Sequence, residues 1–438
     1  MEALKFDVIV LGGGPGGTAA AKTLALGGKS VAVVSDELGG ECVNYGCIPT
    51  KIFLRTAELV EKFAAAAEFG VEVGEAKINW EKVKERKNKI TEKLRKNLTW
   101  SLEKAGVKIF AGRGEFVDAN TISVTAAAGV VHTLSAKNII VATGSKAIFL
   151  PSIPKTENVL GTHEILDLAE IPKTLLIIGG GVTGVEFASM FAAFGTKVTI
   201  AEYGSRLLMR ADSEISVELE RIFARKGIEI LKNNSFKPED IGNYEKVLSA
   251  TGRQAVVAGF GLEKIGVKVG RYIETNDLMA TNLPHIFAIG DCAGKSMLAY
   301  TAEREGTNVA LQIMGKKTIA LDYEKIPSAV FSLPEIAFCG LTEEEAKKRG
   351  VEYVTVKSVY SGNSKSLILN SRDGFVKILA NKSSGEILGI HIIGEKASEI
   401  IAEASLAISK NMTISDLKQN LHCHPVISEV IKEALDQM

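Results

Sequence analysis

Two stretches of this sequence repeat one another. FDVIVLGGGPGGTAAAKTLALGGKSVAVV runs from Phe6, and KTLLIIGGGVTGVEFASMFAAFGTKVTIAE runs from Lys173. Each opens with an apolar run that does not alternate, as in a parallel strand buried on both faces. A glycine turn follows, then a small-residue helix, then a second β-branched strand. That order predicts a βαβ unit, present twice. Both turns carry the pattern G-x-G-x-x-G, as Gly12, Gly14 and Gly17 and again as Gly179, Gly181 and Gly184. Such glycines let the backbone approach a pyrophosphate, which then lies at the positive end of the helix. Placed between strand and helix, and duplicated, the pattern predicts two dinucleotide sites.

The rest of the chain fits around these units. NWEKVKERKNKITEKLRKNLTWSLEKAG, from Asn79, predicts a long charged helix whose Glu81, Glu85, Glu92 and Glu103 break up its basic run into a solvated face. FLPSIPK, from Phe149, predicts a crossover between domains. From about Lys325 the style changes to strand, hairpin and helix, with NKSSGE closing the hairpin. This is a third domain, α+β in type. The apolar stretch from Thr174 mimics a membrane span in hydropathy, but its glycines cut it into strand, turn and helix. Lys+Arg and Asp+Glu both number 52, so no net charge points to nucleic acid or an anionic membrane. The N-terminus has no basic segment leading to a small-residue cleavage site, so no signal peptide is expected. The expectation is a soluble cytoplasmic α/β protein.

An acid at the end of the second strand of a dinucleotide unit holds ribose hydroxyls. Glu202 stands there in the second unit. A carboxylate accepts from a 2′-hydroxyl and repels a 2′-phosphate, which favours NAD over NADP; nearby Arg206 is the counter-signal. In the first unit the place belongs to Ser35, with Asp36 and Glu37 next, so an acid displaced by one residue is expected to serve. Two different nucleotides in one chain point to an electron relay between NAD(H) and FAD, without saying which unit holds which.

GGECVNYGCIPTK, residues 39–51, holds two of the five cysteines, Cys42 and Cys47. Residues five apart in a regular helix lie about 8.7 Å apart at Cα, whereas a disulfide needs about 4.4–6.8 Å. The two can bond only across an irregular turn, which Gly46 would ease. Zinc sites favour shorter spacing and need two further ligands, and Cys292, Cys339 and Cys423 stand singly. A redox disulfide, a metal half-site and a pair of inert thiols all remain open on this reading, the redox pair leading. A thiol near a helix N-terminus is the better nucleophile and leaving group.

The stretch LGGECVNYGCIPTK resembles the signature of the two-cysteine flavoprotein disulfide reductases, the FAD- and NAD-linked pyridine nucleotide-disulfide oxidoreductases, and CIPTK is most similar to their dihydrolipoamide dehydrogenase branch. The resemblance covers essentially the whole chain. VATGS, with Thr143 and Gly144, resembles the crossover from FAD to NAD domain, and SATGR, with Gly252, resembles the return. HIFAIGDCAG resembles the second FAD motif, whose aspartate, here Asp291, holds the ribityl chain. VFSLPEIAFCGLTEEEA and HCHPVISE resemble the dimer-interface domain. The resemblance assigns FAD to the first unit and NAD to the second. It implies that Cys42 meets the substrate and Cys47 faces the flavin. Lys51 and Glu186 match an ion pair beside the flavin. His424 would be the base, oriented by Glu429; a histidine suits a dithiol that attacks only as thiolate. A metal fragment in HCH and a surface pair without a role are the alternatives there.

The implied organisation is an FAD domain (1–146), a shortened NAD domain (147–255), a second FAD or central segment (256–322) and a C-terminal dimerisation domain (323–438). The implied function is reoxidation of free or protein-bound dihydrolipoamide by NAD+ in a homodimer, without a metal. Rival readings are an NADPH-dependent reductase of a small glutathione-like thiol, against which Glu202 and CIPTK speak, a mercuric reductase, whose terminal cysteine pair is absent, and a catalytically silent flavoprotein subunit. Several positions depart from the family. Ser35 replaces the ribose glutamate, Tyr300 a histidine and Val426 a threonine. Ile230 to Arg253 looks shortened by a β-meander, and GRQAVVAGFG lacks the usual proline-asparagine run. Cys423 has no role in the family pattern.

Overall fold

The computed structural model describes residues 3–74, 76–127, 129–153, 156–233 and 237–438. In it both repeats form the expected units. The strand Leu4–Leu11 leads through Gly12–Gly14 into the helix Pro15–Leu26 and on to the strand Val31–Ser35. The strand Thr174–Ile178 leads into the helix Val182–Ala193 and the strand Lys197–Ala201. In each pair the strands run parallel, Val8 opposite Val31 and Lys197 opposite Thr174. The strand centres are fully buried, as unbroken apolar runs require.

The chain divides into two compact units. One gathers Met1–Pro49, Lys84–Ile148 and Arg253–Tyr323; the other gathers Thr50–Val83, Phe149–Gly252 and Glu324–Met438. The first is built on a seven-stranded sheet in which Lys108–Ala111, Val31–Ser35, Leu4–Leu11 and Val131–Val141 are consecutive neighbours, Ile286–Ala288 also pairs parallel with Val131–Val141, and Thr121–Thr125 and Arg113–Asp118 add an antiparallel flank. The short strands Ser145–Ala147 and Arg253–Ala255 pair antiparallel, so the two crossover motifs lie side by side.

The second unit holds a five-stranded parallel sheet, ordered Glu229–Leu231, Lys197–Ala201, Thr174–Ile178, Lys246–Ser249 and Val159–Leu160. Among the described residues no strand lies between Leu231 and Lys246; Pro238–Asn243 is a 3-10 turn. Pro154 of FLPSIPK lies outside the described residues. The apolar helix Val182–Ala193 is buried on nearly every side, which explains its membrane-like hydropathy. Among the described residues no helix is long and apolar enough to cross a membrane. The α+β segment forms a five-stranded antiparallel sheet, Ser328–Val330, Ile336–Gly340, Ile387–Ile393, Phe375–Asn381 and Tyr353–Val359, with the helix Ala397–Ser409 packed on it.

Within this second unit Lys377 is 1% exposed and lies 3.0 Å from Asp212, 2.8 Å from Glu214 and 2.6 Å from Glu343. Asp212 also caps the helix Ser213–Arg225 by accepting from the Glu214 N–H. Burial works against the Lys377 charge, but the three carboxylates outweigh it and raise its pKa. Lys347 and Lys377 hold Glu343 at about 2. A carboxyl so depressed adds stability above its ordinary range and loses it as pH falls toward 2. Lys377→Met should destabilise the protein by about 3–5 kcal/mol, because it strands buried Asp212 without its partner; urea unfolding at neutral pH measures this.

Candidate redox site

The stretch around the cysteine pair is two helices separated by a break. Gly40–Asn44 forms a single turn entered through Gly39, whose φ of 95° suits glycine. Tyr45 and Gly46 leave the helix, and a new helix, Cys47–Ala64, begins at the second cysteine. The carbonyl of Glu41 accepts both the Tyr45 N–H at 2.9 Å and the Gly46 N–H at 2.7 Å. A Cβ on Gly46 would lie 3.2 Å from that carbonyl oxygen and 3.8 Å from the Cα of Cys42. Glycine therefore permits the irregular turn, and Cys42 and Cys47 stand close together. Cys42 is half-buried and Cys47 exposed. The Asn44 side chain donates to the Leu38 carbonyl at 3.0 Å, and the Tyr45 hydroxyl donates to Glu37 at 2.7 Å, with Arg95 on the same carboxylate. Burial pushes the Cys292 thiol up and the Cys339 thiol up to about 11, which keeps both unreactive.

One turn into the helix, Lys51 reaches both oxygens of Glu186 at 2.9 and 2.7 Å. Glu186 is 4% exposed and also accepts the Phe331 N–H at 2.9 Å. The Lys51 ammonium lies 4.6 Å from the centre of the Phe331 ring. The pair joins residues 135 apart in sequence.

His424 is exposed. Its Nδ1 lies 3.0 Å from Glu429 Oε1, which leaves Nε2 as the outward nitrogen. The carboxylate also accepts the Val426 N–H at 3.0 Å. That backbone bond first, then His424, holds Glu429 below the usual carboxylate range. The backbone does the holding, so valine at 426 leaves Glu429 anchored. His422 turns instead to Glu403 at 3.0 Å. The two histidines thus serve different carboxylates, and no cluster able to hold a metal is found among the described residues.

Both glycine loops have the form a pyrophosphate needs. Gly12 and Gly179 have φ of 115° and 110°. A Cβ on Gly17 would lie 2.1 Å from the Gly12 carbonyl oxygen, and one on Gly184 would lie 1.9 Å from that of Gly179. Gly14 and Gly181 are the N-caps of the two helices, and neither N-cap is closed by a side chain. Those helix ends keep N–H groups available for an anion. Ser35 and Glu202 occupy matching places: a Cβ on Gly13 would meet Ser35 Oγ at 2.8 Å, and one on Gly180 would meet Glu202 Oε2 at 3.0 Å. Ser35 donates to the Glu37 carbonyl at 2.8 Å. Glu202 accepts from the N–H groups of Gly180 and Gly204, each at 2.6 Å, with acceptor capacity left for ribose hydroxyls. Asp36 is on the turn that follows Ser35. The Thr143 hydroxyl donates to the Val256 carbonyl at 2.6 Å, Gly144 and Gly252 take positive φ, and Asp291 accepts from the Ser145 hydroxyl. Tyr300 is exposed on the helix Ala299–Ile313.

Three contacts were not legible from motifs. Arg206 is drawn onto Glu344, at 2.7 and 2.6 Å. Arg253 reaches Glu41 at 3.0 Å. Glu305, 1% exposed, accepts the Gly290 N–H at 2.6 Å beside Asp291. Only Arg253 carried a signal, as the last residue of SATGR.

Comparison with known proteins agrees over the whole chain. The model of the pyridine nucleotide-disulphide oxidoreductases matches residues 6–306, and that of their dimerisation domain matches residues 326–435. The chain is 37% identical to the dihydrolipoyl dehydrogenase of Mycobacterium leprae over 98% of its own length and 97% of that protein's. It is 36% identical to the Bacillus subtilis enzyme of the same name, over 99% and 98%. Among solved structures it is similar to LpdA from Mycobacterium tuberculosis, with a TM-score of 0.91 and 27% identity over 99% of both chains. The HOCl-induced flavoprotein disulfide reductase RclA from Escherichia coli gives 0.87 and 25% over 98% and 99%. A doubled nucleotide fold, a cysteine pair across a broken helix and these full-length matches place the chain among the pyridine nucleotide-disulphide oxidoreductases.

Proposed function

We propose that the chain reoxidises dihydrolipoamide, free or carried on a lipoyl protein, with NAD+ as acceptor. The carrying observation is the glycine-broken turn that brings Cys42 and Cys47 together at the start of the Lys51 helix. Members of the family use FAD and NAD(H), and this chain carries a glycine loop for each. In this reading Gly12, Gly14, Gly17, Ser35 or Asp36, Thr143, Gly144 and Asp291 hold FAD, and Gly179, Gly181, Gly184, Glu202 and Gly252 hold NAD. FAD then belongs to 1–146 and 256–322, NAD to 147–255, and dimer contacts to 323–438. The match to a dimerisation domain supports a homodimer, and a cytoplasmic setting fits the sequence.

A thiolate of the substrate attacks Cys42 Sγ. The Cys42–Cys47 bond breaks, Cys47 leaves as thiolate, and a mixed disulfide joins substrate to Cys42. His424 takes the proton of the second substrate thiol, which attacks its neighbour sulfur, closes the lipoamide ring and frees Cys42. Two electrons have passed from substrate to the cysteine pair. Glu429 on Nδ1 fixes which nitrogen of His424 accepts the proton. The Lys51–Glu186 pair holds a fixed positive charge on the helix that Cys47 opens. Bound FAD supplies the relay that carries both electrons on to NAD+.

The test is anaerobic. Adding dihydrolipoamide without NAD+ should make two further thiols titratable per chain, mapped by mass spectrometry to Cys42 and Cys47. No gain in thiols would sink the reading. On the nicotinamide side, Arg206 is occupied by Glu344, so Glu202 decides. NADH should be favoured over NADPH by about a hundredfold in kcat/KM, since like-charge juxtaposition costs several kcal/mol and 1.4 kcal/mol is tenfold. Side-by-side lipoamide reduction assays measure the ratio, and parity would return the choice to the NADPH-dependent reductases.

A further inference from the structure

Glu41 stands directly before Cys42, a poor place for an acid. A carboxylate beside a thiol disfavours the thiolate, which is the reactive form. The same residue closes the redox turn through its carbonyl, so its main chain is fixed beside Cys42. Its side chain meets Arg253 at 3.0 Å, both being about a quarter exposed.

Arg253 is held in a fixed pose. It opens the strand Arg253–Ala255, paired with Ser145–Ala147. Its Nε donates to Ser145 Oγ at 2.7 Å and its Nη2 to the Ser145 carbonyl at 2.9 Å. Ser145 Oγ in turn donates to Asp291. The chain Asp291–Ser145–Arg253–Glu41 therefore runs from the aspartate of the second FAD motif to the redox turn. Other charges around the turn are committed elsewhere: Glu37 meets Arg95 and Tyr45, and Lys51 meets Glu186.

We infer that Arg253 is a positioning residue of the redox site: it cancels the Glu41 charge beside Cys42 and fixes the turn to the crossover strands. This rests on the redox reading of the pair. The guanidinium is rigid and always charged, which suits a pairing held at one place across the working pH range.

The test follows the reduced holoenzyme. The protein is treated with dithiothreitol, freed of it anaerobically, and alkylated with iodoacetamide from pH 5 to 10. Peptide mass spectrometry reads the rate at Cys42 alone. Arg253→Gln should move the midpoint of the rate profile up by about one pH unit, so that alkylation near neutrality slows by about tenfold. Glu41→Gln should move it down. The double variant should return to within about twofold of wild type, and Arg253→Lys should keep the wild-type midpoint.

A purely structural role predicts otherwise: both single variants would change the rate in the same direction with unmoved midpoints. That result overturns the proposal. If Arg253→Gln fails to retain FAD, Glu41→Gln still decides, because an unmoved midpoint there is equally fatal. The chemical reductant separates the two claims. Failure of dihydrolipoamide to generate thiols would count against the substrate reading and leave the alkylation profiles intact.

Discussion

Cys47→Ser should retain FAD and the native fold yet lose dihydrolipoamide oxidation by about 10³-fold or more, the scale seen when an essential covalent group is removed. Position 47 is exposed at the start of a helix, so serine fits without a cavity or a buried polar group. The loss is chemical. With one sulfur, Cys42 stays a free thiol: the substrate thiolate finds no disulfide to break, and there is no second sulfur to leave as thiolate and store the electron pair. Flavin content after gel filtration, with steady-state NAD+ reduction, separates the two properties. Turnover near wild type would refute the redox assignment; loss of flavin would instead give Cys47 a structural role.

His424→Ala should lower kcat by about 10²–10⁴-fold, the usual contribution of a positioned acid–base group. The ring is exposed and its Nδ1 meets Glu429 at the surface, so stability should hardly change. The family resemblance implies that the dimerisation domain brings His424 of one chain to the cysteine pair of the other. An isologous dimer then has two equivalent composite sites. When Cys47→Ser and His424→Ala chains are denatured, mixed and refolded, about half the dimers should be mixed by random pairing. Each mixed dimer has one site with both lesions and one with neither, so activity should return to roughly a quarter of wild type. An inert mixture, with mixed dimers confirmed by mass spectrometry, would place base and cysteines on one chain.

The parts of the fold with a period were legible. Unbroken apolar strands, two glycine turns and the charged helix, found at Trp80–Lys104, follow from local rules, and each formed where expected. The irregular turn at Gly46 was expected only if Cys42 and Cys47 bond, since a regular helix holds its fifth neighbour too far away. The pairing of Lys51 with Glu186 had no local signal; only the family resemblance joined them. Contacts between distant side chains have no pattern to read. Arg253 and Glu41 lie 212 residues apart, and Arg206 and Glu344 lie 138 apart. Arg206 illustrates the cost: in sequence it argued for NADP, whereas in the fold it is bound to a carboxylate of another segment. Lys377 had no local signal either: within the buried strand Phe375–Asn381 its place depends on three acids that other elements bring to it.

The carbonyl of Glu41 holds the N–H groups of Tyr45 and Gly46 by backbone alone. A turn closed in this way should keep its shape whether or not the two sulfurs are joined. Opening the bridge then demands little reorganisation of the main chain, and closing it again demands no search. Neither oxidation state gains a mechanical advantage from the scaffold. The cycle should therefore run readily both ways, its direction set by the supply of the lipoamide and nicotinamide couples rather than by the protein.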